Sequence, residues 1–196
     1  MISFKEKSNL QEIGNYSFYN CINLINISIE ELSELTIIGS YSFLNYINLT
    51  SIKLPSELKE ISTNLFEECS KLKSIKILSN VSQINEFSFL NCCNLECIQY
   101  FGTEEPNINQ NAFQGCTILK YIYTNLIYSS ETFGSFKVRK TSKLSDKCSS
   151  KRSGLKNGEI VCIVIFSFIF IAIIVIILFF TVFRRNKHNK EEENTQ

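Results

Sequence analysis

The chain has 196 residues, with 20 Lys and Arg against 19 Asp and Glu and a single His, for a formal net charge of +1. The balance is uneven: residues 1–128 carry 8 Lys and 13 Glu, net −5, whereas residues 129–159 carry net +5. An acidic leading segment argues against nucleic-acid binding, and one His leaves little for His-based catalysis or a metal site.

From the N-terminus, a Phe recurs at Phe18, Phe43, Phe66, Phe89 and Phe113, at gaps of 25, 23, 23 and 24 residues. Three residues after each stands Cys or Tyr (Cys21, Tyr46, Cys69, Cys92, Cys116), then Leu (Leu24, Leu49, Leu72, Leu95, Leu119), then Ile (Ile27, Ile52, Ile75, Ile98, Ile122). A fixed period of this length is the signature of a solenoid whose units bury their apolar faces only by stacking. In the second unit Ile52 and Leu54 alternate with polar residues, as in a short half-buried strand. Phe43, Tyr46 and Leu49, three apart, suit one helical or 3₁₀ turn, and Gly39 is able to supply a further turn. The strands are expected to form one parallel ladder.

Leu58, Ile61, Phe66, Cys69, Leu72, Ile75 and Ile77, with Ala112-Phe113 and Leu54-Pro55, resemble the leucine-rich repeats of the BspA-like surface proteins. The resemblance implies an α/β repeat solenoid, a right-handed superhelix of about five 23–25-residue units over residues 1–128, displayed at the cell surface for adhesion or recognition. The fifth unit departs from the pattern, with Glu104-Glu105-Pro106 where its first apolar residue belongs. Ile2 and Phe4 precede Leu10 as Ile27 and Ile29 precede Leu35, so the chain is expected to begin inside a repeat, as a short or truncated family member.

Between the Ile columns the ladder presents Asn26, Ser51, Ser74, Cys97 and Tyr121 at one outward position and Ser28, Lys53, Lys76, Gln99 and Tyr123 at the next. A curved solenoid offers this strip to partners, and tyrosines are enriched at binding hot spots. The candidate partner-binding set is therefore Asn26, Ser28, Ser51, Lys53, Ser74, Lys76, Gln99, Tyr121 and Tyr123. The expected partner is an extracellular protein or glycan. Solvation alone also accounts for the two lysines.

N-x-[S/T] acceptors occur at Asn15, Asn26, Asn48 and Asn80. They are open to N-glycosylation if the repeats are extracellular, but the composition produces about as many by chance. The Cys column accepts Tyr46, so it reads as packing rather than as a ligand set. Cys92, Cys93 and Cys97 lack the second pair or the His that a zinc site requires. Cys148 is placed to link chains. The single His188 lies near the C-terminus, and neither G-x-x-x-x-G-K-[ST] nor G-x-G-x-x-G occurs. Glu67 and Glu68 read as a solvated edge. No catalytic residue, metal or cofactor is expected.

Residues 129–159, rich in Ser and Lys, read as a flexible basic stalk. Residues 160–183 carry no charge over 24 positions, enough for one transmembrane helix. A short charged tail, 184–196, follows. Six basic residues stand within about 20 positions before this run and four after it. That count opposes an extracellular solenoid, whereas Arg184-Arg185 at the boundary and the family resemblance favour one. The expectation is a single-pass plasma-membrane protein with its repeats outside. The alternatives are a tail-anchored cytoplasmic scaffold or a fragment of a larger surface protein.

Overall fold

The computed structural model describes residues 2–3, 9–25, 27–144 and 148. The chain winds as a solenoid whose coils each place one strand in a main ladder. The ladder strands are β1 (Ile2–Ser3), β3 (Ile27–Ser28), β5 (Ser51–Leu54), β7 (Ser74–Ile77), β9 (Cys97–Tyr100) and β11 (Tyr121–Thr124). Strand β1 pairs with β3, and β5, β7, β9 and β11 run in one sheet, all parallel. The register aligns Ile52, Ile75, Ile98 and Ile122, the column recognised in the sequence.

A second, shorter ladder lies before each Phe. It comprises β2 (Glu12–Ile13) with β4 (Ile37–Ile38), and β6 (Glu60–Ile61), β8 (Gln83–Ile84) and β10 (Asn107–Ile108). Gly39 follows β4 at the entry to the turn, without a positive φ, and its carbonyl accepts from the Ser42 hydroxyl at 2.7 Å. It is required for close approach: a Cβ there would stand 2.6 Å from the Asn15 nitrogen of the preceding coil.

Between the short and long strands, the Phe-x-x-Cys-x-x-Leu segment forms successive tight turns. Tyr46 N–H donates to the Phe43 carbonyl at 3.2 Å and Leu49 N–H to the Tyr46 carbonyl at 3.1 Å, and Cys69 and Leu72 repeat this. These i→i+3 bonds keep Phe, Cys and Leu on one face, as their spacing demands. They do not extend into a helix, since the residues two before and two after each Phe recurrently sit at positive φ: Tyr16, Tyr41, Asn64 and Phe87 before, Asn20, Asn45, Glu68, Asn91 and Gly115 after. Left-handed residues end a right-handed turn. The described residues contain no α-helical segment, so the expected α/β solenoid is corrected to a sheet-rich one built of strands and turns.

The core is a stack of identical layers. Phe18, Phe43, Phe66, Phe89 and Phe113 lie ring on ring at 5.1–5.4 Å between neighbouring centroids. Leu49, Leu72, Leu95 and the Ile column fill the rest, fully or nearly fully buried. In the Cys column, Cys69, Cys92 and Cys116 thiols donate to the carbonyls of Phe43, Phe66 and Phe89, at 3.2, 3.0 and 3.1 Å. Each Cys thus packs its own coil and bonds the preceding one.

The sheet continues beyond residue 128, into the stretch read as a linker. Strands β12 (Thr132–Phe133) and β13 (Phe136–Lys140) form a hairpin, and β13 pairs in parallel with β11. Phe133 enters the core with Tyr100 and Tyr128 and is fully buried. The composition concealed this because the strand's exposed positions are Lys137 and Arg139, while the apolar residues Phe133, Phe136 and Val138 are few.

The charge-free run 160–183 lies outside the described residues. Among the described ones, no helix is long and apolar enough to cross a membrane.

Candidate functional site

The outward face of the main ladder is built by strand alternation: in β5, β7 and β11 one residue turns inward and the next outward. Ser51 and Lys53 are exposed, and Ser74, Lys76, Tyr121 and Tyr123 are half-buried at aligned positions. Ser28 is half-buried on β3, and Asn26 lies outside the described residues.

Gln99 and Cys97 depart from the expectation. All four residues of β9 are buried, because the segment after β13 crosses back over this strand. The Gln99 side-chain amide donates to the Leu144 carbonyl, and Leu144 is itself buried. Cys148 forms a disulfide with Cys97, with Cα atoms 5.6 Å apart, inside the span that unstrained bridges occupy. Gln99 is therefore no contact residue, and Cys148 closes an intrachain loop instead of linking chains. The Cys93 and Cys97 sulfurs, both held in disulfides, are also lost to any metal site with Cys92.

This strap divides the strip. On one side Ser51, Lys53, Ser74 and Lys76 form a hydroxyl and ammonium patch, with Lys53 Nζ 2.9 Å from Glu30 Oε1 across the neighbouring coil. That pair is half-exposed, so it holds Lys53 only weakly. On the other side Tyr121 and Tyr123 lie with centroids 5.9 Å apart, and the Arg139 guanidinium stands 4.2 Å over the Tyr121 ring. Arg139 aligns with Tyr123 in the register of β13. It was missed in the sequence because its strand lay in the presumed linker. Arg over Tyr is a favourable cation–π arrangement, and both groups belong to residue types that dominate binding surfaces.

The glycosylation acceptors already have structural duties. Asn15 Oδ1 accepts from Ser40 N–H at 2.8 Å, Asn48 Oδ1 from Lys71 Nζ at 2.7 Å, and Asn80 Oδ1 from Thr103 N–H at 2.6 Å. All three bond between coils. Asn48 also donates its Nδ2 to the Ile22 carbonyl, so a glycan on that nitrogen would strain an existing contact. Glu68 occupies the left-handed turn position of its coil, and burial, then the neighbouring Glu67, pushes its carboxyl above the usual range.

Residues 1–120 match, as 6 copies, the family described as the BspA type leucine rich repeat region. The chain belongs to this family. No curated protein matches it. Among solved structures, this BspA-type solenoid is similar to a leucine rich cell surface protein from Faecalibacterium prausnitzii A2-165, determined at 1.80 Å resolution, with 26% identity and a TM-score of 0.54. The likeness covers 78% of this chain and 36% of that one, so the BspA-type chain spans little more than a third of that protein.

Proposed function

We propose that this BspA-type solenoid is a non-catalytic recognition module held at a cell surface, the run 160–183 acting as its membrane anchor. The supporting observation is the Tyr121–Tyr123–Arg139 cluster beside the strap. Sheet register sets two half-buried aromatic rings and an exposed guanidinium side by side, which lowers the ordering cost of binding. Ser51, Lys53, Ser74 and Lys76 extend the surface on the far side of the strap. An extracellular protein or glycan with carboxylate and apolar groups complements it. The solved cell-surface relative makes surface display the natural setting.

One observation favours a second reading: the greater basic charge before the run 160–183 agrees with cytoplasmic repeats on a tail anchor. Antibody labelling of intact against permeabilised cells decides between them. Signal from intact cells supports display, and signal only after permeabilisation overturns it. Binding is tested by retention of cells expressing the full chain on immobilised extracellular matrix proteins and glycans. Tyr121→Ala with Arg139→Ala should lower retention at least about tenfold, which is ~1.4 kcal/mol. Unchanged retention would remove the cluster from the contact surface.

A further inference from the structure

Each coil hands its neighbour the same pair of backbone bonds. Phe18 and Asn20 N–H groups donate to the Ser42 and Leu44 carbonyls, both at 2.9 Å. Phe43 and Asn45 donate to Leu65 and Glu67, at 3.0 and 2.8 Å, and Phe66 and Glu68 to Ser88 and Leu90, both at 2.8 Å. Phe89 and Asn91 donate to Ala112 and Gln114, both at 2.9 Å. Each pair of N–H groups thus meets carbonyls two residues apart on the following coil.

The series stops at the fifth coil. The next turn is replaced by the β12–β13 hairpin, and Phe136 meets Phe113 edge-on, at 86° and 5.6 Å, instead of stacking flat. The Phe113 and Gly115 N–H groups have no acceptor among the described residues. Where the missing turn would lie there is a cleft of about 580 Å³, within the range of ligand sites. Amide side chains of Asn109, Gln110, Asn111 and Gln114 line it, with the rings of Phe113 and Phe136 and no charged residue. Glu86 Oε1 holds the Asn111 amide at 3.1 Å, and Asn109 Oδ1 accepts from Asn111 N–H at 2.9 Å, so this rim is fixed in place.

We propose that this cleft binds an uncharged peptide segment, whose carbonyls two residues apart accept from Phe113 and Gly115 N–H as a further coil would. Two main-chain donors without a protein acceptor among the described residues, Phe113 in the cleft lining and Gly115 just past Gln114 at its edge, favour an acceptor-bearing ligand. Neutral amides disfavour an ion, and their paired donors and acceptors suit peptide groups. The spacing of the donors is the one that this chain already uses on itself four times. The site is lined by other residues than the ladder strip and does not rest on the reading of that surface.

The probe is a fluorescent peptide of residues 108–119 carrying Cys116→Ser. It has no charged side chain and contains the Ala112 and Gln114 carbonyls that receive the preceding row. Fluorescence anisotropy against the full chain in mild detergent should show saturable binding, and a scrambled peptide should bind at least tenfold more weakly. Ser135→Trp and Gln110→Trp alter exposed rim positions and fill the cleft. Each should weaken binding at least tenfold with an unchanged melting temperature. Equal binding of the scrambled peptide, or equal affinity in both variants, overturns the proposal. So does a peptide that fails to saturate while fluorescent maltoheptaose binds in a manner that Ser135→Trp abolishes, since the site would then take a neutral glycan.

Discussion

Tyr46 is the exception in a column of cysteines, and its chemistry differs accordingly. Cys69, Cys92 and Cys116 each bond a carbonyl of the preceding coil, whereas the buried Tyr46 hydroxyl has no partner among the described residues. Burial, then the neighbouring Cys21 and Cys69, pushes it up to about 12. Such a hydroxyl bears a desolvation cost with no compensating bond. Tyr46→Phe should therefore be neutral or stabilise by about 1 kcal/mol, read as a raised urea midpoint. Destabilisation would mean that the hydroxyl has an acceptor after all. Burial also raises the Cys69 and Cys92 thiols far above their ordinary range. Only a thiolate alkylates readily, so iodoacetamide at pH 8 should modify half-exposed Cys21 and Cys116 in the native chain and leave Cys69 and Cys92 untouched. Mass spectrometry after brief labelling checks this. The packing role of the column was legible because Tyr substitutes in it. Its inter-coil hydrogen bonds were not, since a thiol's acceptor depends on how the coils stack.

At the level of the element, the turn is governed by its left-handed residues. Asn20, Asn45, Asn91 and Gly115 occupy one column, and Asn45 Nδ2 donates to Asn20 Oδ1 at 2.8 Å. Asn and Gly are the residues that tolerate this region, so the column was present in the sequence, obscured by Glu68 and by the abundance of Asn everywhere. Asn45→Ala should destabilise more than Asn45→Gly, by about 1 kcal/mol, because only Ala pays the left-handed penalty. Thermal melts of the two variants compare them directly, and equal melting temperatures would contradict the strain argument. The end of β9, packed beneath the closing hairpin through Phe133, offers a test through pH. The Tyr100 hydroxyl donates to the Glu104 carbonyl at 2.9 Å, and burial, then Glu104, pushes it from 10 to about 12. Above pH 10 the unfolded chain releases this proton while the folded chain retains it, so stability falls as pH rises. The contribution is whole below pH 10 and is lost between pH 10 and about 12. Tyr100→Phe should cost about 1 kcal/mol at pH 8 for the lost bond, and the difference from wild type should shrink towards pH 12 in urea titrations. A constant difference would show that Tyr100 ionises as freely in the fold as outside it.

Across the whole molecule, the repeat period makes the fold readable and leaves the ends hidden. Phe, Leu and Ile columns are visible because each residue repeats a contact that stacking requires, whereas the hairpin and the strap are used once and have no period. The strap controls how much of the ladder faces solvent. Leu144 and the Cys97–Cys148 bridge bury a strand that would otherwise alternate like its neighbours. A disulfide closing a loop of this size contributes ~2–4 kcal/mol through chain entropy, far more than the Gln99–Leu144 hydrogen bond supplies alone. Removing this bridge should therefore release the strap while the coils, which contain no bridge between their Cys-column thiols, stay folded. Exposed Lys143, beside Leu144, reports the change: trypsin cleavage there should accelerate at least about tenfold in Cys148→Ser, an opening of ~1.4 kcal/mol, with the melting of the ladder little altered. Faster cleavage together with collapse of the melt would mean that the bridge holds the solenoid itself. Unchanged cleavage would mean that Leu144 and Gln99 hold the strap without it. If release occurs, Gln99 joins Lys76 and Tyr123 on one continuous strip, and partner binding should strengthen in Cys148→Ser.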